Sequence, residues 1–303
     1  MQIIRQTGSV PFPRTVIALG NFDGLHLAHM AIIKRCHDYA RANDLKCGVL
    51  LFNEHTKRTI KNRNVPVITQ ENQKLELLSN VDIDFVYMRD FDKAFMQLTP
   101  EQFVRRLIDI LHCEAVCVGY DYRFGYKAQG DVTLLKKLCD ENGITAIVID
   151  EIDHDGVAIK STAIRDFIKA GSVMHAASML GRPFAIEGMV VKGLQNGRKL
   201  GFPTANVAYK SNTLLPHSGV YAGYTYVKGN KYKSVINVGN NPTFNADKIT
   251  IESYIPGFDG DLYNEVARVE FIKRLRGDKK FDSIEELKAQ IKQDAENAGK
   301  ELE

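Results

Sequence analysis

The feature that most constrains this chain is a change of hydrophobic period partway along it. Up to about residue 150, short apolar runs at 15–19, 46–52, 85–88, 115–119 and 144–149 alternate with helix-length segments of 3.6-residue period. Strands separated by helices give parallel neighbours, so the spacing predicts an α/β unit with a doubly wound parallel sheet. After Gly181 the runs at 185–192, 220–227, 231–238, 249–255 and 266–272 follow one another with Gly, Asn and Pro turns and no helix between them. That pattern predicts an antiparallel sheet or small β-barrel. Local signals mark helix starts. Thr99, Pro100 and Gln102 form a capping box with proline at the first helical position, Asp131 can cap 132–138, and Ser283 with Glu286 opens a charged terminal helix.

A chain of 303 residues suits two such units. The expected domains are 1–182 and 183–303. Lys and Arg number 40 against 37 Asp and Glu, a net charge of +3, without the basic excess of an electrostatic nucleic-acid binder. Small-molecule partners are expected, with neither nucleic acid nor membrane among them. No apolar run approaches the roughly 20 residues of a membrane span and the start lacks the layout of a signal peptide, so the expected location is cytoplasmic. Five cysteines without a C-x-x-C pair suggest buried thiols rather than a disulfide framework or a zinc site.

The stretch GNFDGLHLAH (20–29) directly follows the first strand. A glycine-rich turn that opens a helix presents unpaired N–H groups and the positive end of a helix dipole, which suits a phosphate. His26 and His29, three apart, would share a helix face. The same residues also suit an ordinary strand-to-helix turn. A zinc role for the pair lacks a third ligand. VGYDYRFGYKAQGD (118–131) and IKSTAIR (159–165) lie at comparable places, the first able to stack a ring and bind phosphate, the second to cap a helix or hold a polyphosphate. In the second half, KGLQNGRKLGFPTAN (192–206) places Gly193, Gly197 and Arg198 in a possible phosphate cradle that is not a Walker loop, with oxygen donors at Thr204 and Asn206 for a hard cation. A Gly- and Pro-rich turn would read the same. NVGNNPTF (237–244) reads first as a turn. Glu252 interrupts the apolar ITIESYI (249–255), either facing solvent or serving as a base.

Taken together these stretches resemble the bacterial bifunctional riboflavin kinase/FMN adenylyltransferase family, also called FAD synthetase, over nearly the whole chain and in the family's order. The resemblance implies a nucleotidyltransferase-like first domain and a riboflavin kinase barrel. It implies that Gly20, Asn21, Phe22, Asp23 and Gly24 form the nucleotide-binding signature, with His26 and His29 on ATP phosphates. His55 lies where a ligand would arrive. Ser161, Thr162 and Arg165 would hold phosphates, and Asp121, Arg123 and Phe124 would help form the nucleotide and flavin site. Thr204 and Asn206 would meet Mg2+ and ATP, and Glu252 would be the catalytic base. The implied reactions are phosphorylation of riboflavin to FMN and adenylylation of FMN to FAD. Alternatives are a single-activity member with a degraded or regulatory second site, and a non-catalytic flavin- and ATP-binding regulator. Departures gather in the first half: 51–56 read Leu-Phe-Asn-Glu-His-Thr where the family usually has Thr-Phe-Asp-Pro-His-Pro, Ala28 replaces a glycine, and Lys160 replaces a serine. In the barrel the change is small: Ser253 follows Glu252.

Overall fold

The computed structural model describes residues 1–5, 8–53, 65–240 and 249–303. His55 and residues 241–244 of the NVGNNPTF stretch lie outside them. The chain forms two compact units, Met1–Ser161 and Thr162–Glu303.

The first unit is a six-stranded parallel sheet in the order β1-β4-β3-β2-β5-β6. The strands are β1 (Gln2–Arg5), β2 (Thr15–Leu19), β3 (Lys46–Phe52), β4 (Phe85–Arg89), β5 (Cys113–Gly119) and β6 (Thr145–Ile149). Between them run α1 (Leu27–Asn43), α2 (Glu71–Ser79), α3 (Lys93–Met96), α4 (Pro100–Leu111) and α5 (Val132–Glu141). The two-residue period of β2 explains why both faces need cover. Val16 and Ala18 pack with Ile33 and Cys36 of α1 and Leu78 of α2, whereas Ile17 and Leu19 pack with Val104 and Leu107 of α4 and Leu135 of α5. The Thr99 capping box and the Asp131 cap both form, with Leu134 N donating to Asp131 Oδ1 at 2.9 Å. All five cysteines are buried thiols. The edge strand β1 was not expected, because its four residues are too short to show a period. A two-strand ribbon, β7 (Asp153–His154) and β8 (Val157–Ala158), completes the unit.

The second unit begins with a helix pair, α6 (Ser161–Lys169, whose first residue closes the first unit) and α7 (Val173–Leu180). The pair belongs with the barrel: α7 packs on β9 and β14, and His217 N donates to Ile168 O at 3.2 Å. The unit boundary therefore falls ahead of these helices, not after them as the change of period suggests. The closed barrel runs β10-β13-β12-β11-β14-β9, with β9 (Phe184–Val191), β10 (Thr204–Ala208), β11 (Gly219–Val227), β12 (Asn230–Asn240), β13 (Ile249–Tyr254) and β14 (Val266–Arg276). One short helix, α8 (Asn196–Leu200), interrupts the expected helix-free stretch, and β10 was hidden in sequence behind the Gly and Pro that precede it. Phe184, Tyr221 and Phe271 fill the interior. The terminal helix α9 (Ile284–Glu301) lays Ala298, with Leu302 just beyond it, over Val220, Ala222 and Val235. Asp294, 3% exposed, accepts Arg276 Nε at 3.1 Å and Arg276 Nη2 at 2.8 Å, so one buried ion pair fastens α9 to β14.

Candidate active sites

In the first unit the strand order reverses beside β2, with β3 and β4 laid down on one side and β5 and β6 on the other. Ligands of such sheets bind beyond the carboxyl ends of the strands at that reversal, here β2 and β5. The loop from Gly20 to His26 emerges there. Phe22 (φ 46°), Gly24 (φ 92°) and Leu25 (φ 42°) all take left-handed backbone. For a non-glycine residue that costs about 1–3 kcal/mol. Phe22 and Leu25 are fully buried in the core on the α1 side, and burying such side chains contributes about 1.5–3 kcal/mol each, enough to hold the turn.

Asp23 is also fully buried, its carboxylate accepting from Ile68 N at 3.0 Å and Thr69 N at 3.3 Å. Its own carbonyl accepts from the hydroxyl of Ser161, the last residue of the first unit, at 2.8 Å. The side chains of Phe22 and Asp23 thus turn inward and shape the loop. What faces outward is the exposed Asn21 and the first turn of α1.

His26 caps that helix, its Nδ1 accepting from His29 N at 3.3 Å. The two imidazoles stack with centroids 3.6 Å apart and 17° between planes. His29 Nδ1 is buried without a hydrogen-bond partner among the described residues. Burial, then the neighbouring His26 and Lys74, push the His29 pKa well below its ordinary value, so this ring is neutral at physiological pH. Ala28 sits within α1 and not among the positive-φ residues, so its methyl introduces no backbone strain.

On the loop after β5, Asp121 is exposed and Arg123 pairs loosely with Asp131 at 3.8 Å. Phe124 is buried, its ring centroid 5.3 Å from that of Phe103 and 5.9 Å from that of Tyr122, as part of the core. Thr162 is exposed in the first turn of α6, and Arg165, one turn on, is 7% exposed.

In the barrel, strand register assembles what the sequence keeps apart. Asn206 of β10 stands opposite Glu252 of β13, and Glu252 opposite Asn237 of β12; Thr204 stands opposite Tyr254. Directly paired and alternate residues share a face. Ile251 and Ser253 point into the barrel, so Glu252 and its row lie on the outer wall. Ser253 explains itself on the inside: its hydroxyl meets Thr225 Oγ1 at 2.6 Å, and Thr225 donates to Ser234 at 3.0 Å, a hydroxyl chain away from the candidate base.

Thr204 Oγ1 donates to Glu252 Oε2 at 3.5 Å. Burial raises the Glu252 pKa, opposed by that hydrogen bond. The segment 192–203 straps over the row. A Cβ on Gly193 would stand 2.6 Å from the Asn206 amide, and one on Gly197 2.4 Å from Phe202 O, so glycine is required for the strap to lie this close. Gln195 Nε2 donates to Tyr263 Oη at 2.9 Å, joining the strap to the loop after β13. Beneath them is a cavity of about 180 Å³ lined by Gly193, Gln195, Arg198, Thr204, Asn206 and Tyr263 among others. Asn237 was not singled out from sequence, since only the pairing of β12 with β13 brings it beside Glu252.

Comparison with known proteins agrees with this division. Residues 11–163 match the family model for FAD synthetase and 180–302 that for riboflavin kinase. The bifunctional riboflavin kinase/FMN adenylyltransferase of Listeria monocytogenes is 34% identical over 93% of this chain and 90% of its own. That of Escherichia coli K12 is 34% identical over 96% and 94%. A crystal structure described as a macrolide-efflux protein from Streptococcus pneumoniae superposes with a TM-score of 0.89 at 30% identity, covering 98% of both chains. Among the described residues of the present chain no helix is long and apolar enough to cross a membrane. With both family models matched in order and relatives aligned nearly end to end, the chain belongs to the bifunctional riboflavin kinase/FMN adenylyltransferase family.

Proposed function

We propose that the barrel phosphorylates riboflavin at Glu252 and that the parallel-sheet unit adenylylates the resulting FMN around His26 and His29. The observation that carries the kinase reading is the cross-strand row Asn206, Glu252 and Asn237, with Thr204 donating to Glu252 under a glycine strap. A half-buried carboxylate of raised pKa is suited to take the proton from riboflavin's terminal ribityl hydroxyl as that oxygen attacks the γ-phosphorus of ATP and the bond to the β-phosphate oxygen breaks. FMN and ADP result. The Gly193–Gly197 strap and Arg198 hold the phosphates in line with the hydroxyl. Thr204 and Asn206 supply neutral hard oxygens, and among the described residues no group of three His, Cys, Asp or Glu gathers to cage a metal. That donor set fits Mg2+, which is bound by few protein oxygens together with substrate phosphates. When bound it supplies neutralisation of charge on the transferred phosphoryl group.

In the sheet unit the FMN phosphate attacks the α-phosphorus of ATP and pyrophosphate leaves, so no protein nucleophile is required. The chain's part is positioning and charge stabilisation. The N-terminus of α1 offers N–H groups, and the stacked imidazoles offer ring N–H donors to phosphate oxygens. A regulator without turnover would have no use for a desolvated carboxylate beside two oxygen donors, and that separates this reading from the non-catalytic one.

The test is to incubate the purified protein with riboflavin, ATP and Mg2+ and follow riboflavin, FMN and FAD by chromatography. FMN appears first and FAD follows. FMN without FAD rejects the adenylyltransferase half, and FAD formed from supplied FMN with riboflavin untouched rejects the kinase half.

A further inference from the structure

Lys160 is the last residue before α6, and its neighbour Ser161 is hydrogen-bonded to the Asp23 carbonyl of the loop after β2. Its backbone is therefore anchored at the edge where the candidate phosphate loop emerges. Its side chain stays 43% exposed, with Nζ 3.2 Å from Glu151 Oε2, itself 48% exposed. The same ammonium lies 5.0 Å from the ring centroid of Tyr120, the first residue beyond β5. β2 and β5 are the two strands that flank the reversal in strand order, so the residue is stationed at the crevice, its backbone next to the residue bonded to the loop after β2 and its ammonium over the first residue after β5.

Neither partner locks it there. An exposed ion pair contributes about 0–1 kcal/mol and an exposed cation–π contact about 0.5–1 kcal/mol. A phosphate carrying between one and two negative charges, with three acceptor oxygens, competes well against a single solvated carboxylate. The four-carbon stem of lysine lets its ammonium swing between partners, giving up only the Glu151 carboxylate and the Tyr120 ring face.

We propose that Lys160 is a substrate-binding residue of the sheet unit, exchanging Glu151 for a phosphate oxygen when substrate enters. The proposal rests on the adenylyltransferase reading of that unit. Two sources share the chemistry, the phosphomonoester of FMN and the polyphosphate of ATP, and kinetics separates them.

The experiment measures FAD formation from FMN with FMN and ATP varied in turn, for the wild type and for Lys160→Met, Lys160→Arg and Glu151→Gln. Methionine keeps an apolar stem over Tyr120 and removes only the charge. Lys160→Met is expected to raise the KM of the substrate it holds about tenfold, the worth of one charge-assisted hydrogen bond, with kcat changed less than about threefold. A rise for FMN alone assigns the phosphomonoester, and a rise for ATP alone the polyphosphate. Lys160→Arg restores the wild-type KM, and Glu151→Gln, by freeing the cation, lowers it. Lys160→Met with both KM values within about twofold of wild type, or an arginine variant as impaired as the methionine one, overturns the proposal. Wild-type protein that forms no FAD from FMN overturns the adenylyltransferase reading instead.

Discussion

His26 and His29 lie face to face, centroids 3.6 Å apart, at the first turn of α1, and burial keeps His29 uncharged. A depressed imidazole pKa stabilises the fold fully above the unfolded value of about 6.5 and loses that contribution as the pH falls from there toward the folded value. The melting temperature of the sheet unit is therefore expected to fall between pH 7 and pH 5, and His29→Asn to flatten the dependence. A wild-type melting temperature that is level across that interval would contradict a neutral His29. The same substitution is expected to slow FAD synthesis by about 10²–10³ while leaving riboflavin phosphorylation intact.

Glu252 carries the opposite sign. Its folded pKa is raised by burial, so keeping it ionised costs stability at neutral pH, a cost absent below the unfolded carboxylate value and full above the folded one. Glu252→Gln is expected to slow FMN formation by about 10²–10⁴ and leave FAD synthesis from FMN unchanged. The barrel's melting temperature at pH 7 should stay level or rise. A lower melting temperature, or equal loss of both activities, would show that Glu252 is structural.

Gly193→Ala tests the strap. The added methyl meets the Asn206 amide, the end of a rotatable side chain, so the fold can yield by turning that amide away. Kinase kcat/KM for ATP is expected to fall about tenfold or more with little change in thermal stability. Unimpaired phosphorylation would mean that the position of the Asn206 amide is unimportant to the reaction.

Asp294→Ala leaves Arg276 without its buried partner. Breaking such a pair costs about 3–5 kcal/mol, and Gln290, which also donates to Asp294 at 2.9 Å, loses its acceptor. The expected outcome in a denaturant titration is early unfolding of the barrel unit, with α9 released first. A midpoint equal to wild type would remove α9 from the barrel's stability.

The two-unit layout was legible because burial writes its period into sequence. Val16 and Ala18 against Ile17 and Leu19 serve two helix layers, and such continuous apolar runs between helices admit few folds. Thr99 with Gln102, Asp131 and Ser283 were legible because capping is local, settled within three or four residues. β1, β10 and the attachment of α6 and α7 to the barrel were not, since each depends on a partner distant in sequence.

By itself, then, the order of residues determined the α/β-then-barrel architecture, the helix starts, and the chemical types gathered at 20–29 and 192–206. Tertiary structure alone decided which way those side chains face. It turned Phe22, Asp23 and Phe124 into the protein, set Ser253 inside the barrel and Glu252 outside, and brought Asn237 beside Glu252 from another strand. The physical reason is that side-chain direction in a loop or sheet follows from backbone sign and strand register, which distant packing fixes, whereas propensity and period act only along the chain.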